Sequence, residues 1–554
     1  MKKVKYSLLA VLTGMFLMLA IGCSEQGSAS NNNDNTATNG DGSPSGNQEL
    51  NMALDTDPPT FDPRKIGDAT SDVLLHQMFE GLMRLDQDDN PKEAMAETYE
   101  VSDDKLKYTF TIREDAKWSN GDPVTAEDFE YAWKWVLNPE NPDTPAADQM
   151  FVIKNASKAK AGEVAVDEIG VNAANEKTLE VELEFPANYF LDLLTNSVSF
   201  PVNKEIVENN SEWDQEAGDD YVTNGPFKLE ERVNKDKVVL VKNEHYWDEE
   251  SVSLDKINMP IVPDENTIYN LYENGEIDFA GDPAGTLPLP AINALKEEGK
   301  LNNQTSAGTY YYAFNIQQKP FDNVNIRKAF SYAVNREQIV NNITKAGQKP
   351  AMAYVSPPIW EENEEGYFKD NDVEKAQELL EKGLQEEGYD DIEDLPEIEI
   401  TYNTSEEHAS VAQAIQDMWK NTLGVEVTLN NKEWQVYLDS IDQGEFQIAR
   451  LGYGAKVNDA FVDLNAYSEK SRGKNYMDWE NEEFQDLMKQ AQQEKDSDQY
   501  KEILRDAEKV LMDDAIVSPL YFLVSSHVAK DYVHDVHIDV LGRIQLKWAY
   551  LSEH

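Results

Sequence analysis

Short stretches that alternate apolar and polar residues recur along this chain, separated by stretches whose apolar residues repeat every three to four positions. Strand and helix patterns interleaved in this way argue for mixed α/β sheets covered by helices. Lys107 to Arg113, Lys177 to Phe185 and Lys237 to Lys242 read as strands. Thr125 to Val136 reads as a helix with Thr125 as its N-cap. Asn325 to Val334 is a second helix, with Ile326, Ala329, Phe330 and Ala333 on one face. From 396 to 450 the pattern runs strand Ile398 to Tyr402, helix Glu406 to Thr422, strand Val425 to Leu429, helix Tyr437 to Ile441 and strand Phe446 to Leu451. Two closing helices carry core stripes, Phe484, Leu487, Met488 and Ala491 on one, Tyr500, Ile503, Leu504, Ala507, Val510 and Leu511 on the other. No internal repeat is visible.

The first 22 residues follow a different logic. Lys2, Lys3 and Lys5 precede an apolar run from about Ser7 to Ile21, and Gly22-Cys23 follows. A charged start, a short apolar core and small residues before a cut form a secretory signal. The run is about 15 residues long, short of the roughly 20 a spanning helix needs. Cys23 is the only cysteine of the chain, and its position resembles a bacterial lipobox, so lipidation at Cys23 is expected. A diacylglyceryl group on it would hold the protein at the outer face of the cytoplasmic membrane, since one acyl chain binds only marginally. No disulfide framework is available. Residues 23–48 are mostly Ser, Asn, Gly, Asp and Thr and read as a flexible tether.

Cleavage after residue 22 would leave 532 residues, enough for two to four domains. The formal charge is −56, and the signal carries three lysines and no acid, so the remainder would carry −59. A surface of that sign repels nucleic acid and anionic lipid. Nucleic acid is therefore excluded as a partner.

Catalytic signatures are sparse. The histidines are His76, His245, His408, His527, His534, His537 and His554, and none falls in a metal-binding spacing. There is no GxSxG elbow and no P-loop, and Gly452-Tyr453-Gly454 does not complete a GxGxxG. With 105 acids, any chosen carboxylate pair is uninformative. No cofactor or metal is expected, and a secreted lipoprotein hydrolase stands only as an alternative.

An ordered series of short motifs carries more. It comprises Asp62-Pro63, Phe79-Glu80-Gly81-Leu82, Tyr108-Thr109-Phe110 through Ala116-Lys117-Trp118, and Gly121-Asp122-Pro123-Val124-Thr125-Ala126-Glu127-Asp128-Phe129. Asn224-Gly225-Pro226-Phe227, Gly275-Glu276-Ile277-Asp278 and Asn325-Ile326-Arg327-Lys328-Ala329-Phe330 follow. From about residue 50 to its end the chain resembles the oligopeptide-binding lipoproteins of peptide ABC importers, solute-binding protein family 5. The resemblance implies a two-lobe fold of the periplasmic-binding-protein type with an extra inserted domain and a hinge. It places domain I at 49–79, 204–307 and 545–554, domain II at 80–203 and domain III at 308–544, with hinges near Gly308 and Ile544. It implies capture of a peptide or peptide-like solute between the lobes, delivery to permease subunits, and a monomeric receptor without enzymatic activity. A chaperone-like or cell-wall interaction role is a third possibility.

The same resemblance assigns ligand-binding positions. Gly67, Asp68 and Ala69 match an edge that pairs with ligand backbone. His408 matches a histidine facing a ligand carboxylate, or is an exposed helix-start residue. Arg450 matches a cleft arginine, or sits in a salt bridge. Trp434 matches a pocket-wall aromatic, or packs in the core. Gly452, Tyr453 and Gly454 match the cleft-lining segment. Relatives usually carry an aspartate for the ligand α-ammonium where this chain has Lys456. Either the ligand here is blocked or anionic at that end, such as a cell-wall peptide, a signalling peptide or an anionic conjugate, or Lys456 turns to solvent and Asp459 or Asp68 takes the ammonium. The aromatic expected of the second-domain wall is missing between Ala146 and Gln149.

Overall fold

The computed structural model describes residues 44–470 and 475–553. The signal, Cys23 and most of the tether lie outside the described residues, as does His554.

Three sheets organise the described chain. The first has the order Glu49–Asn51, Lys256–Pro260, Lys237–Lys242, Phe227–Val233. Its first pair is parallel, with Leu50 opposite Ile257, and the rest is antiparallel. The second is an antiparallel sheet of Ala96–Val101, Lys107–Ile112, Thr178–Glu182 and Val171–Asn175. Its period-two pattern is realised directly: Tyr108, Phe110 and Ile112 are buried and their neighbours are not. Leu179 and Val181 join them across the ladder. Helix Ala126–Val136 packs against Val171–Asn175 and Thr178–Glu182 of this sheet and buries Phe129, Ala132 and Trp133. It starts at a capping box in which Thr125 and Asp128 satisfy each other's backbone, the expected device for four orphan N–H groups.

The third sheet is the largest and runs Phe279–Gly281, Val517–Ala529, Asn302–Phe314, Ile448–Gly454, Ile398–Asn403, Val427–Lys432. Ile398–Asn403 is parallel to both its neighbours, and the crossover helices are Glu406–Leu423 and Trp434–Asp442. The strand–helix–strand reading of 396–450 holds, with boundaries moved by one to three residues. Val324–Tyr332, Val373–Glu387 and Glu406–Leu423 cover one face, where Trp419 donates to the Phe330 carbonyl (2.8 Å). Glu482–Gln493 and Ser497–Asp514 pack with the other cluster, although Leu487, Ile503 and Val510 are only half-buried.

Two 13-residue strands, Asn302–Phe314 and Val517–Ala529, pair with each other along most of their length. The far end of Val517–Ala529 pairs with Phe279–Gly281, which an isolated bridge from Met52 ties to the first sheet. A register shift falls between Thr305 and Thr309. Gly281 has φ +111, and a Cβ there would lie 2.4 Å from the Ser526 carbonyl oxygen, so only glycine fits. The first two sheets form one lobe and the third forms the other.

The motif series has a packing reason. Asn224 exchanges two hydrogen bonds with the Glu80 backbone (3.1 and 2.9 Å). A Cβ on Gly225 would lie 2.6 Å from the Met78 carbonyl carbon. The Glu80 carboxylate is 1% exposed. It accepts from Arg84, from Tyr246 Oη (2.7 Å) and from Trp247 Nε1 (2.6 Å). Arg84 continues to Gln545 and to the His76 carbonyl.

Candidate functional site

A cavity of about 1050 Å³ lies between the lobes. One wall comes from Ile66 to Val73 and from the segments around Pro145 to Val152 and Phe185 to Val198. The other comes from Ala455 to Lys470, and the turn Leu541 to Arg543 closes the base. Gly67, Asp68, Ala69 and Lys456 all line it.

Asp68 is the N-cap of helix Ala69–Met78, its carboxylate accepting from Ser71 N (2.8 Å). One turn on, Asp72 faces His76 and Ser197. Burial alone would raise the Asp72 carboxyl, but His76 beside it, Arg543 and the Ser197 hydroxyl hold it down at about 2. Asn196 joins three segments with one amide. Its oxygen accepts from Arg543 Nη1 (2.8 Å), and its nitrogen donates to Gln149 Oε1 (2.9 Å) and to the Lys456 carbonyl (2.8 Å). Arg543 is itself fixed by Asp539 (2.8 Å).

Aromatic wall residues escaped the sequence reading. Phe151, Phe185 and Tyr189 line the cavity, close to where the wall aromatic was missing. Tyr189 stacks on Phe461 of the opposite lobe (5.7 Å, 18°), and Phe185 lies 6.0 Å from the same ring. Nothing in the sequence separates these rings from core aromatics.

Asp459 is engaged as N-cap of Ala460–Asn465, accepting from Phe461 N (2.7 Å) and Tyr500 Oη (2.8 Å). Burial pushes it up to about 6, against those two bonds. Burial, and then Asp459, push Asp192 up to about 7. An ordinary aspartate titrates near 3.9. The folded state therefore holds an extra proton between about pH 4 and 7, and stability falls as pH rises through that window. Asp192→Asn is expected to raise the melting temperature at pH 8 and to leave it unchanged below about pH 4, read by calorimetry across pH.

His408, Arg450 and Trp434 are not among the residues that line the cavity. The Arg450 guanidinium sits 4.6 Å from the Tyr310 ring centroid and forms no ion pair among the described residues. Its Nε is buried without a partner, as are Tyr312 Oη and Asn403 Oδ1. His408 Nδ1 lies 3.3 Å from Tyr310 Oη. Burial, with Arg450 adding to it, depresses His408 to about 3, so its imidazole is neutral at physiological pH. Trp434 is 50% exposed and stacks on Tyr437 (6.0 Å, 19°).

Gly452, Tyr453 and Gly454 belong to Ile448–Gly454. Ala455 N donates to Ala307 O, and Asn315 N donates to Gln447 O. In antiparallel pairing this places the odd-numbered backbone groups toward Asn302–Phe314 and the even-numbered ones away from it. The parallel neighbour Ile398–Asn403 pairs only at Ile448 and Ala449. Beyond them, the outward groups of Gly452 and Gly454 have no partner among the described residues, and both glycines are exposed. Tyr453 points the other way, buried, with its hydroxyl on the Tyr354 carbonyl (2.9 Å).

Comparison with known proteins fits this geometry. The pattern of bacterial extracellular solute-binding proteins, family 5 Middle, matches residues 90–475. The oligopeptide-binding protein OppA of Bacillus subtilis is 44% identical over 521 residues, 93% of this chain and 95% of that protein. Among solved structures, the unliganded open form of the periplasmic murein tripeptide binding protein MppA superposes with a TM-score of 0.79. It is 28% identical and covers 93% of this chain and 99% of its own. The OppA of Haemophilus influenzae in complex with RPPGFSPFR gives 0.76 at 29% identity, covering 92% of this chain and 100% of its own.

Proposed function

We propose, because this chain belongs to the family 5 bacterial extracellular solute-binding proteins, that it captures an extended peptide between its lobes and hands it to an ABC permease. The observation that carries this reading is the unpaired edge at Gly452 and Gly454 beside a 1050 Å³ crevice. An extended peptide brings unpaired backbone donors and acceptors, and burying them without partners costs several kcal/mol per group. Added as a strand along that edge, the peptide satisfies them whatever its side chains are. Gly67 to Ala69 face the crevice from the other lobe. The guest's carboxylate goes to Arg450, whose buried Nε lacks a partner, with neutral His408 able to donate beside it. A charge-assisted bond there gives the guest direction. Lipidation at Cys23 tethers the receptor outside the cytoplasmic membrane; its support is the signal-like start of the sequence.

The test is native mass spectrometry of protein purified without refolding. Peptides of related length, recovered intact, are expected. A non-peptide cargo, or steady hydrolysis of added peptide, overturns the reading.

A further inference from the structure

The free edge is bounded. At one end the Arg450 carbonyl accepts from Tyr437 Oη. At the other the Lys456 carbonyl accepts from Asn196 Nδ2 (2.8 Å). The Arg450 carbonyl belongs to the outward, even-numbered set, and Lys456 lies two residues beyond the strand's end. Only Gly452 and Gly454 lie between these stops. Six residue steps at about 3.3 Å separate them, roughly 20 Å. An added strand can therefore pair over only a few residues before it meets Tyr437 or Asn196.

The side chains at the stops share a sign. Arg450, Gly452 and Gly454 alternate onto one face of the strand, from half-buried Arg450 to two exposed glycines, and exposed Lys456 follows two residues beyond the strand's end. Arg450 has no carboxylate partner among the described residues. Lys456 likewise forms no ion pair there, while the other cations that line the crevice among the described residues are neutralised. Lys470 pairs with Glu480 (2.6 Å) and Arg543 with Asp539 (2.8 Å). The acids around Lys456 are also engaged. Asp68 caps a helix, Asp72 is paired with His76, and Asp148 and Glu469 each have a partner. The Asn196 bond holds the main chain of Lys456, so this cavity-lining residue is anchored at its carbonyl.

From these positions we infer that the preferred guest is a short extended peptide, about four to six residues, carrying an anionic group at each end. One end is a carboxylate at Arg450. The other is an acidic or acylated, negatively charged group at Lys456 rather than a free α-ammonium. This rests on the strand-addition reading above and narrows its substrate class. A free ammonium at Lys456 is repelled, and a carboxylate there is drawn in. Because the site is open to solvent at that end, the effect is screened by salt.

The experiment is isothermal titration of the full protein with one five-residue Ala/Val sequence in four forms. These are free amine with C-terminal acid, N-acetyl acid, N-succinyl acid, and N-succinyl amide. The wild type is expected to bind the N-succinyl acid at least tenfold tighter than the free amine, with the acetyl form between. The C-terminal amide is expected to lose at least tenfold. Lys456→Glu, at an exposed position, is expected to reverse the N-terminal order. Tightest binding of the free amine by the wild type, or an order unchanged in Lys456→Glu, overturns the inference while leaving the receptor reading intact. Failure of all four forms, with a non-peptide in the native mass spectrum, overturns both.

Discussion

Replacing Gly454 with proline is expected to weaken peptide binding by roughly 5- to 150-fold while leaving the melting temperature nearly unchanged. The two effects separate because of where the Gly454 N–H points. In the ladder with Asn302–Phe314 it faces outward, so the sheet loses no bond when proline removes it. A Cβ at this position meets nothing within 4 Å, and Tyr453 before it is already extended, as proline requires. The guest, in contrast, loses a donor. A buried ligand carbonyl left without one costs about 1–3 kcal/mol, which gives the range stated. Titration calorimetry with the native peptide and a thermal melt of the free protein read the two quantities. A drop in melting temperature with unchanged affinity would mean that this amide serves the fold and not the ligand.

Glu80→Ala is expected to destabilise the protein by roughly 3–5 kcal/mol at neutral pH, the penalty for removing one partner of a buried ion pair. The carboxylate is almost fully buried and accepts from Arg84, Tyr246 and Trp247. Its loss strands a guanidinium that is itself 8% exposed. Burial opposes ionisation of Glu80, but Arg84, Lys547 and the Trp247 and Tyr246 bonds hold its pKa below the usual value. A depressed folded pKa contributes stability above the unfolded value of about 4.3, and this is lost as pH falls below it. The gap between Glu80→Ala and wild type therefore narrows below about pH 4. Glu80→Gln retains an acceptor and is expected to lose less. Denaturant unfolding at pH 7 and pH 3.5 checks both.

Local pattern made much of the fold legible. Lys107 to Ile112 alternates because one face of its sheet is buried, with Phe190 against Tyr108 and Phe110. Thr125 caps its helix because Asp128 stands three residues on. The crevice was legible only in part. Gly452-Tyr453-Gly454 reads as a broken glycine motif, and nothing local says which backbone edge is open. That depends on the register of Gly454 with Gly308 and on where Ile398–Asn403 stops pairing. The bond from Asn196 to Lys456 joins residues 260 positions apart, and no periodicity carries it. Phe151, Phe185 and Tyr189 line the crevice with side chains that suit a core equally well. The fate of Asp459 was also hidden: its carboxylate is occupied by Phe461 N and Tyr500.

Peptide capture by strand addition depends most on the outward amides of Gly452 and Gly454. Amide hydrogen exchange of the protein, free and saturated with its native peptide, reads them individually. Both amides should exchange readily in the free protein and become strongly protected in the complex, with Leu451 and Tyr453 protected throughout. Tight peptide binding with Gly452 and Gly454 still exchanging at their free rates would contradict it.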